Sequence, residues 1–293
     1  IDQLLPLAIL ADDLTGALDS GLQLARRGLE TVVQLDTEAN ESAPVVVLSS
    51  ESRDASPSAA IASVSELIPR LRNRRVLKKI DSTFRGNVGY ELRTLLSGLS
   101  LRAAVVAPSF PQGGRTLVNG RLLIDDQPLS MTPFRYDPRW PMLEAHLPTY
   151  LMQQSGMEVA HMGLDVVRRG VRHLARELAM ADSRLMVVDA ASDGDLATIA
   201  QATISLGPAW MPCGSAGLAQ TWAALLDARA SVPVVFPNRA NRGMLFVAGS
   251  RNPVSLEQVE SLVRFGVQQV TLDSRGVYEP VRETDRLTQA ALE

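Results

Sequence analysis

Apolar and polar positions along this chain fall into short blocks of two kinds, and the two kinds take turns. Leu7-Ala8-Ile9-Leu10-Ala11 is an apolar run of buried-strand type. It stops at Asp12-Asp13-Leu14-Thr15-Gly16, after which a helical pattern runs from Ala17 to Arg27 and is closed by Gly28. Thr31 to Leu35 and Val45 to Leu48 repeat the strand signal, the second leading into Ser49-Ser50-Glu51-Ser52-Arg53. Ser56-Pro57 supplies an N-cap and a first-turn proline for a helix reaching about Arg72. Val76-Leu77 reads as a short strand, Val88 to Leu96 as an amphipathic helix and Ala103 to Ala107 as a strand stopped by Pro108. This order predicts an α/β fold, a mostly parallel sheet covered by helices, with its loops gathered along one edge.

Between Pro108 and Pro141 the rhythm breaks. Gly113-Gly114, several prolines and an Asn119-Gly120 hairpin signal between apolar flanks predict an irregular insertion. Alternation then returns. A helix is expected over Val166 to Met180, a strand over Leu185 to Asp189, a helix capped by Ser192 or Asp193 and running to Leu206, and a strand near Trp210. Cys213-Gly214-Ser215-Ala216-Gly217-Leu218-Ala219 opens a last helix of this part, ending near Arg229. Its glycine turn either holds an anion on free N–H groups or lets a helix pack closely.

The proline-bearing stretch 231–242 reads as a linker between two α/β domains, 1–230 and 243–293. Met244 to Ala248 resembles another strand, Gly249-Ser250-Arg251-Asn252-Pro253 a turn, and Val254 to Arg264 a helix, repeating the opening unit. The second domain is expected to be incomplete at Glu293. A ligand is expected in the cleft between the two domains.

Composition narrows the partners. Net charge is −3, with no basic block suited to nucleic acid or to a membrane surface. No apolar run approaches the eighteen or so residues of a membrane span, and the first residues carry no targeting pattern. One cysteine, Cys213, and three histidines rule out a disulfide framework or a cysteine-built zinc cage and point to a reducing, cytoplasmic setting. Cys213 itself reads as a small buried residue, and His146, His161 and His173 as surface or capping residues. Trp140, Trp210 and Trp222 read as packing residues.

Candidate chemistry concentrates in Lys78 to Asn87, placed where open α/β sheets keep their ligands. Arg85 offers a rigid donor fork for a carboxylate or phosphate, Lys79 a point charge, and Asp81 and Ser82 partners for sugar hydroxyls. The set suits a small polyhydroxylated anion. The competing reading is a solvated loop in which Asp81 and Ser82 cap the next helix. Gly249-Ser250 is either a phosphate cradle or a plain strand-to-helix turn capped by Ser250. No G-x-x-x-x-G-K-[ST], no G-x-G-x-x-G after the first strand and no G-x-S-x-G elbow is present.

Several segments together resemble the four-carbon acid-sugar kinases, long catalogued as a domain of unknown function. They are Ala11 to Gly16, Glu51-Ser52-Arg53, Lys78 to Asn87, Pro108 to Asp126, Gly214 to Ala219 and Gly249-Ser250. The resemblance implies ATP-dependent phosphorylation of threonate, erythronate or a related tetronate. It places acid-sugar contacts on Asp13, Arg53 and Lys79-Ile80-Asp81-Ser82 of the first domain, and nucleotide contacts on Gly249 and Ser250 of the second. ATP with Mg²⁺ is the implied cofactor. Asp13 is the candidate to accept the hydroxyl proton, while Arg53, Lys79 and Arg85 bind the carboxylate or steady the phosphoryl group. The Lys-x-Asp-Ser-Thr-x-Arg-Gly form of the loop looks closer to threonate and erythronate kinases than to the 3-oxo-tetronate branch. A noncatalytic acid-sugar sensor and a homodimeric assembly also stand as expectations.

Overall fold

The computed structural model describes residues 6–35, 43–226, 245–249, 253–273 and 280–292. The chain divides into two compact units, 1–234 and 235–293.

In the first unit, strands and helices follow in this order: β1 (Leu7–Ala11), α1 (Leu14–Ala25), β2 (Thr31–Gln34), β3 (Val45–Ser49), α2 (Pro57–Leu71), β4 (Arg75–Lys79), α3 (Val88–Gly98), β5 (Ala103–Ala107). The insertion contributes β6 (Arg115–Val118), β7 (Arg121–Ile124) and β8 (Gln127–Pro128), and α4 (Leu147–Ser155) follows it. Then come β9 (Val159–Met162), α5 (Leu164–Val167), α6 (Val171–Met180), β10 (Leu185–Val188), α7 (Asp193–Ser205), β11 (Trp210–Gly214) and α8 (Ala216–Leu225).

Eight strands form one sheet in the order β2-β3-β1-β4-β11-β5-β10-β9, and every neighbouring pair is parallel. Strands β1, β3, β5 and β10 are apolar on both faces because helices cover both. Leu10, Leu48 and Val76 enter a core shared with Val64 of α2, Leu92 of α3 and Leu151 of α4. Their neighbours Ile9, Val47 and Leu77 face the opposite way, onto Ala17 of α1 and Trp222 of α8. Further along, Val105 and Met186 pack on Leu174 of α6 and Ile199 of α7. Winding reverses at β1, which has β3 on one side and β4 on the other. In open α/β sheets the crevice beyond such a reversal is the usual ligand position.

The expected insertion is a small antiparallel sheet, β6-β7-β8, followed by short 3₁₀ turns. Asn119 and Gly120 form the hairpin turn with φ of 52° and 68°, the left-handed pair a two-residue loop requires. Four expectations are corrected. Lys78 and Lys79 end β4 and do not lie in the loop, because both pair in the ladder with β1 and β11. The helix expected over Val166 to Met180 is two helices, since Gly170 turns the backbone to φ 96° between them. Element α4 and edge strand β9 occupy a stretch where no element is expected from the sequence.

The fourth correction concerns the second unit. Its described elements are α9 (Pro253–Arg264) and α10 (Pro280–Leu292). Residues 245–249 form no strand, and Leu245, Phe246 and Val247 are exposed; a strand needs a ladder partner, and none is present for them among the described residues. The linker 231–242 and Ser250 lie outside the described residues.

Candidate functional site

Three loops meet beyond the carboxyl ends of adjacent strands β1, β3 and β4. Asp12 and Asp13 follow β1, the 50–55 turn follows β3, and Lys79 to Asp81 ends β4. Backbone bonds pin the second loop to the first, with Ser52 N and Arg53 N both donating to Asp12 O at 3.0 and 3.2 Å.

Arg53 is the hub. Its Nε and Nη2 donate to the two oxygens of Asp12 at 2.8 and 2.9 Å, and Nη1 donates to Asp13 Oδ2 at 2.6 Å. Burial works against the Arg53 charge, but the Asp12 bonds outweigh it and hold the guanidinium above its ordinary range. Asp12 is 1% exposed, and both of its carboxylate oxygens are engaged by Arg53. Asp13 is the N-cap of α1, its Oδ1 accepting from Gly16 N at 2.9 Å. A Cβ on Gly16 would lie 2.6 Å from Asp13 Oδ1 and 3.0 Å from Lys79 Nζ, so glycine is what lets these two side chains share the start of the helix.

Lys79 is buried, with Nζ donating to Ile80 O at 3.1 Å. Burial pulls its ammonium below the usual lysine range, partly offset by Asp12 and Asp13. Asp81 accepts from Arg85 Nε at 2.8 Å, from Arg85 Nη2 at 3.2 Å and from the Thr83 hydroxyl. Burial raises the Asp81 carboxyl, yet the Arg85 and Thr83 bonds prevail and bring it to about 2. Arg85 reaches Asp137 Oδ2 at 3.4 Å through Nη1 and lies 5.6 Å over the Phe134 ring. Both of these come from the insertion.

The predicted residues thus separate. Asp13, Arg53 and Lys79 converge at the start of α1, and Asp81 with Arg85 forms an ion pair on the adjoining loop. Ile80 does not present its side chain: it is wholly buried in the core, and its N–H donates to Gly214 O at 2.9 Å. Ser82 is half-buried on the loop. Asp12, Gly16 and Asp137 belong to the constellation although sequence reasoning did not select them as site residues; the doublet Asp12-Asp13 was the available signal for Asp12.

The glycine turn before α8 is a packing site. An added Cβ at Gly214 would sit 2.4 Å from Ala107 O and one at Gly217 2.7 Å from Ser109 O, while Ser215 Oγ donates to Ser109 O at 2.9 Å. Cys213 is fully buried, and burial pushes its thiol up. His161 Nε2 lies 2.9 Å from Asp189 Oδ1, a carboxylate that also accepts from the hairpin N–H groups of Asn119 and Gly120.

For a nucleotide, the described residues contain only Gly249 of the expected cradle, exposed and with nothing within 4 Å of an added Cβ, so they do not assemble a phosphate site there. Among the described residues no group of three or more His, Cys, Asp or Glu is placed to hold a metal ion, and no helix is long and apolar enough to cross a membrane.

Fold and constellation together define a doubly wound parallel α/β domain with paired carboxylates and cations at its switch point. Residues 7–222 match the family described as sugar-binding N-terminal domain, and the chain belongs to that family. It is 34% identical over 274 residues to a D-threonate kinase of Salmonella typhimurium, an alignment covering 91% of this chain and 63% of that protein. It is 29% identical over 296 residues to a D-erythronate kinase of Heliobacterium modesticaldum, covering 97% and 66%. A 3-oxo-tetronate kinase of Pseudomonas fluorescens is 32% identical over 228 residues, covering 73% and 52%. Among solved structures, a domain of unknown function from Bordetella bronchiseptica, described as a domain-swapped dimer with bound citrate, aligns with a TM-score of 0.67 and 34% identity. That alignment covers 74% of this chain and 55% of that one. The chain therefore spans less than two thirds of the length of these D-threonate and D-erythronate kinases, 63% and 66%.

Proposed function

We propose that this chain carries the acid-sugar site of an ATP-dependent kinase acting on the terminal hydroxyl of a four-carbon sugar acid, D-threonate or D-erythronate. The observation that carries this reading is the convergence of Asp13, Arg53 and Lys79 at the switch point, with the Asp81–Arg85 pair beside them. Three of the five Arg53 N–H groups are committed to Asp12 and Asp13, which leaves two for a substrate carboxylate. Lys79 adds a charge held in a dry setting, where it acts on a bound anion more strongly than in water. Asp13, fixed through Oδ1 by the helix end and through Oδ2 by Arg53, accepts the proton of the attacking hydroxyl on a remaining lone pair. ATP supplies the phosphoryl group when bound, with Mg²⁺ as its counter-ion; Gly249 and Ser250 are assigned to it by the resemblance alone. A cytoplasmic setting and a homodimer complete the reading. A 3-oxo-tetronate substrate is the nearest alternative, in view of the relative bearing that name.

Calorimetry on the chain separates this reading from others. D-threonate or D-erythronate is expected to bind, and the uncharged four-carbon polyols erythritol and threitol to bind at least about a hundredfold more weakly, the loss expected when buried charges lack their partner. Polyols binding as well as the acids would overturn the reading.

The position of Lys79 gives a pH dependence with a definite sign. Its ammonium titrates below the usual lysine range in the free protein, and a bound carboxylate favours the charged form. Affinity is therefore constant below the lowered value, falls by up to about tenfold per pH unit above it, and levels off only above the higher value of the complex. Lys79→Arg, which stays charged, is expected to abolish this alkaline decline. An equal decline in that variant would remove Lys79 from anion binding.

A further inference from the structure

Strand alternation sends the two lysines of β4 to opposite faces of the sheet. Lys79 faces α1 and the candidate site. Lys78 faces α3, where it is fully buried and its Nζ lies 2.7 Å from Glu91 Oε2, itself fully buried in the first turn of that helix. A buried ion pair is weak support for stability, since well-packed apolar residues often serve as well or better. What an apolar pair could not do is hold the polar groups on either side of this one. Glu91 Oε1 accepts from Ser52 Oγ at 2.6 Å, and Ser52 is the residue before Arg53. Ser50 Oγ lies 2.7 Å from Ser52 Oγ and donates to Ala11 O at 3.0 Å. Lys78 Nζ donates to Lys79 O at 3.2 Å. From the same helix start, Asn87 Nδ2 donates to Ser52 O and Ala55 O at 2.8 and 2.9 Å, closing the turn around Arg53.

We propose that Lys78 and Glu91 are positioning residues of the acid-sugar site. Glu91 grips the Ser52 turn from below and so aims Arg53 at Asp12 and Asp13, while Lys78 neutralises Glu91 and steadies the carbonyl of Lys79. Neither residue touches the ligand. The proposal rests on the reading that Arg53 and Lys79 hold a sugar acid, but the placing of Arg53 is measurable without any ligand.

The test uses the whole chain and two double variants. Lys78→Met/Glu91→Leu removes both charges and the grip on Ser52. Lys78→Met/Glu91→Gln also removes both charges but leaves an amide oxygen to accept from Ser52 Oγ. Arg53 Nε–H exchange with solvent, followed by NMR, is expected to speed up by about tenfold or more in the leucine variant and to return close to wild type in the glutamine variant. D-threonate affinity is expected to follow the same order, falling by about tenfold or more and then recovering, since small misplacement of a binding group has effects of this size. A leucine variant with unchanged Arg53 exchange overturns the proposal, whatever its melting temperature. If that variant does not fold, Ser52→Ala cuts the same link while keeping the charge pair, and unchanged Arg53 exchange there overturns the proposal equally. Wild-type protein that binds no tetronate removes the substrate reading alone; the Arg53 exchange rates still decide the positioning role.

Discussion

On the proposed kinase reading, replacing Asp13 by asparagine is expected to lower kcat for tetronate phosphorylation by about 10² to 10⁴-fold, with D-threonate affinity changing by less than about tenfold. Asparagine caps helices as well as aspartate does, so the bond from Gly16 N and the start of α1 survive the change. The Arg53 Nη1 bond is lost, since the amide nitrogen that replaces Oδ2 is a donor, but both Asp12 bonds remain to hold that guanidinium. What disappears is the carboxylate able to take a proton. If Asp13 serves only to grip substrate hydroxyls, the damage falls on KM and kcat at saturation is preserved. A near-normal kcat at saturating D-threonate takes Asp13 out of the proton-accepting role.

Arg53→Met is expected to destabilise the fold by about 3 kcal/mol as well as to abolish tetronate binding. The loss arises at Asp12. Its carboxylate is 1% exposed, and Arg53 engages both of its oxygens. Truncating the arginine leaves that charge without its bidentate partner, the situation in which a buried pair is most costly to break. Arg53 itself is 18% exposed, so water reaches one side of the pair and the low end of the usual range applies. Urea unfolding monitored by circular dichroism gives the value. A loss below about 1 kcal/mol would class the pair with surface ion pairs, whose partners are each adequately solvated when alone.

The sheet was legible because buried parallel strands are written as uninterrupted apolar runs, and β1, β3 and β5 each stand between unmistakable stops. Caps were equally plain: Ser56 accepts from Ala59 N and Ser192 from Asp195 N. Lys78 and Lys79 look like loop residues in the sequence because charge inside a central strand is costly unless paired. The partner that resolves this for Lys78 is on α3, and no local pattern connects the two. Strand β9 escaped notice as an edge strand with no fully buried residue, and α4 because it opens out of a proline-rich stretch. Met244 to Ala248 illustrates the converse: apolar spacing states what a segment can pair with, and 245–248 have no such neighbour among the described residues. Within the candidate site, Lys79 and Asp81 stand out in the sequence because they follow the apolar Val76-Leu77 pair, whereas Asp13 and Arg53 are named there as contacts through the family resemblance. Asp137 does not stand out, since it comes to Arg85 from the insertion and only the fold brings the two together.

The position of β4 between β1 and β11 bears on how the protein is made. Asp12 through Glu91 are synthesised before the strand that closes the far side of β4, which is formed by residues 210–214. At ordinary rates of synthesis the interval is on the order of ten seconds, during which β4 is the open margin of a half-built sheet. An unpaired margin invites strands of other chains, and lysine is the residue that most often discourages them. Lys78 and Lys79 stand on that margin until Gly214 arrives to take the Ile80 N–H. Two adjacent lysines on a margin of this kind disfavour pairing with the strands of other chains until the ladder to β11 is made.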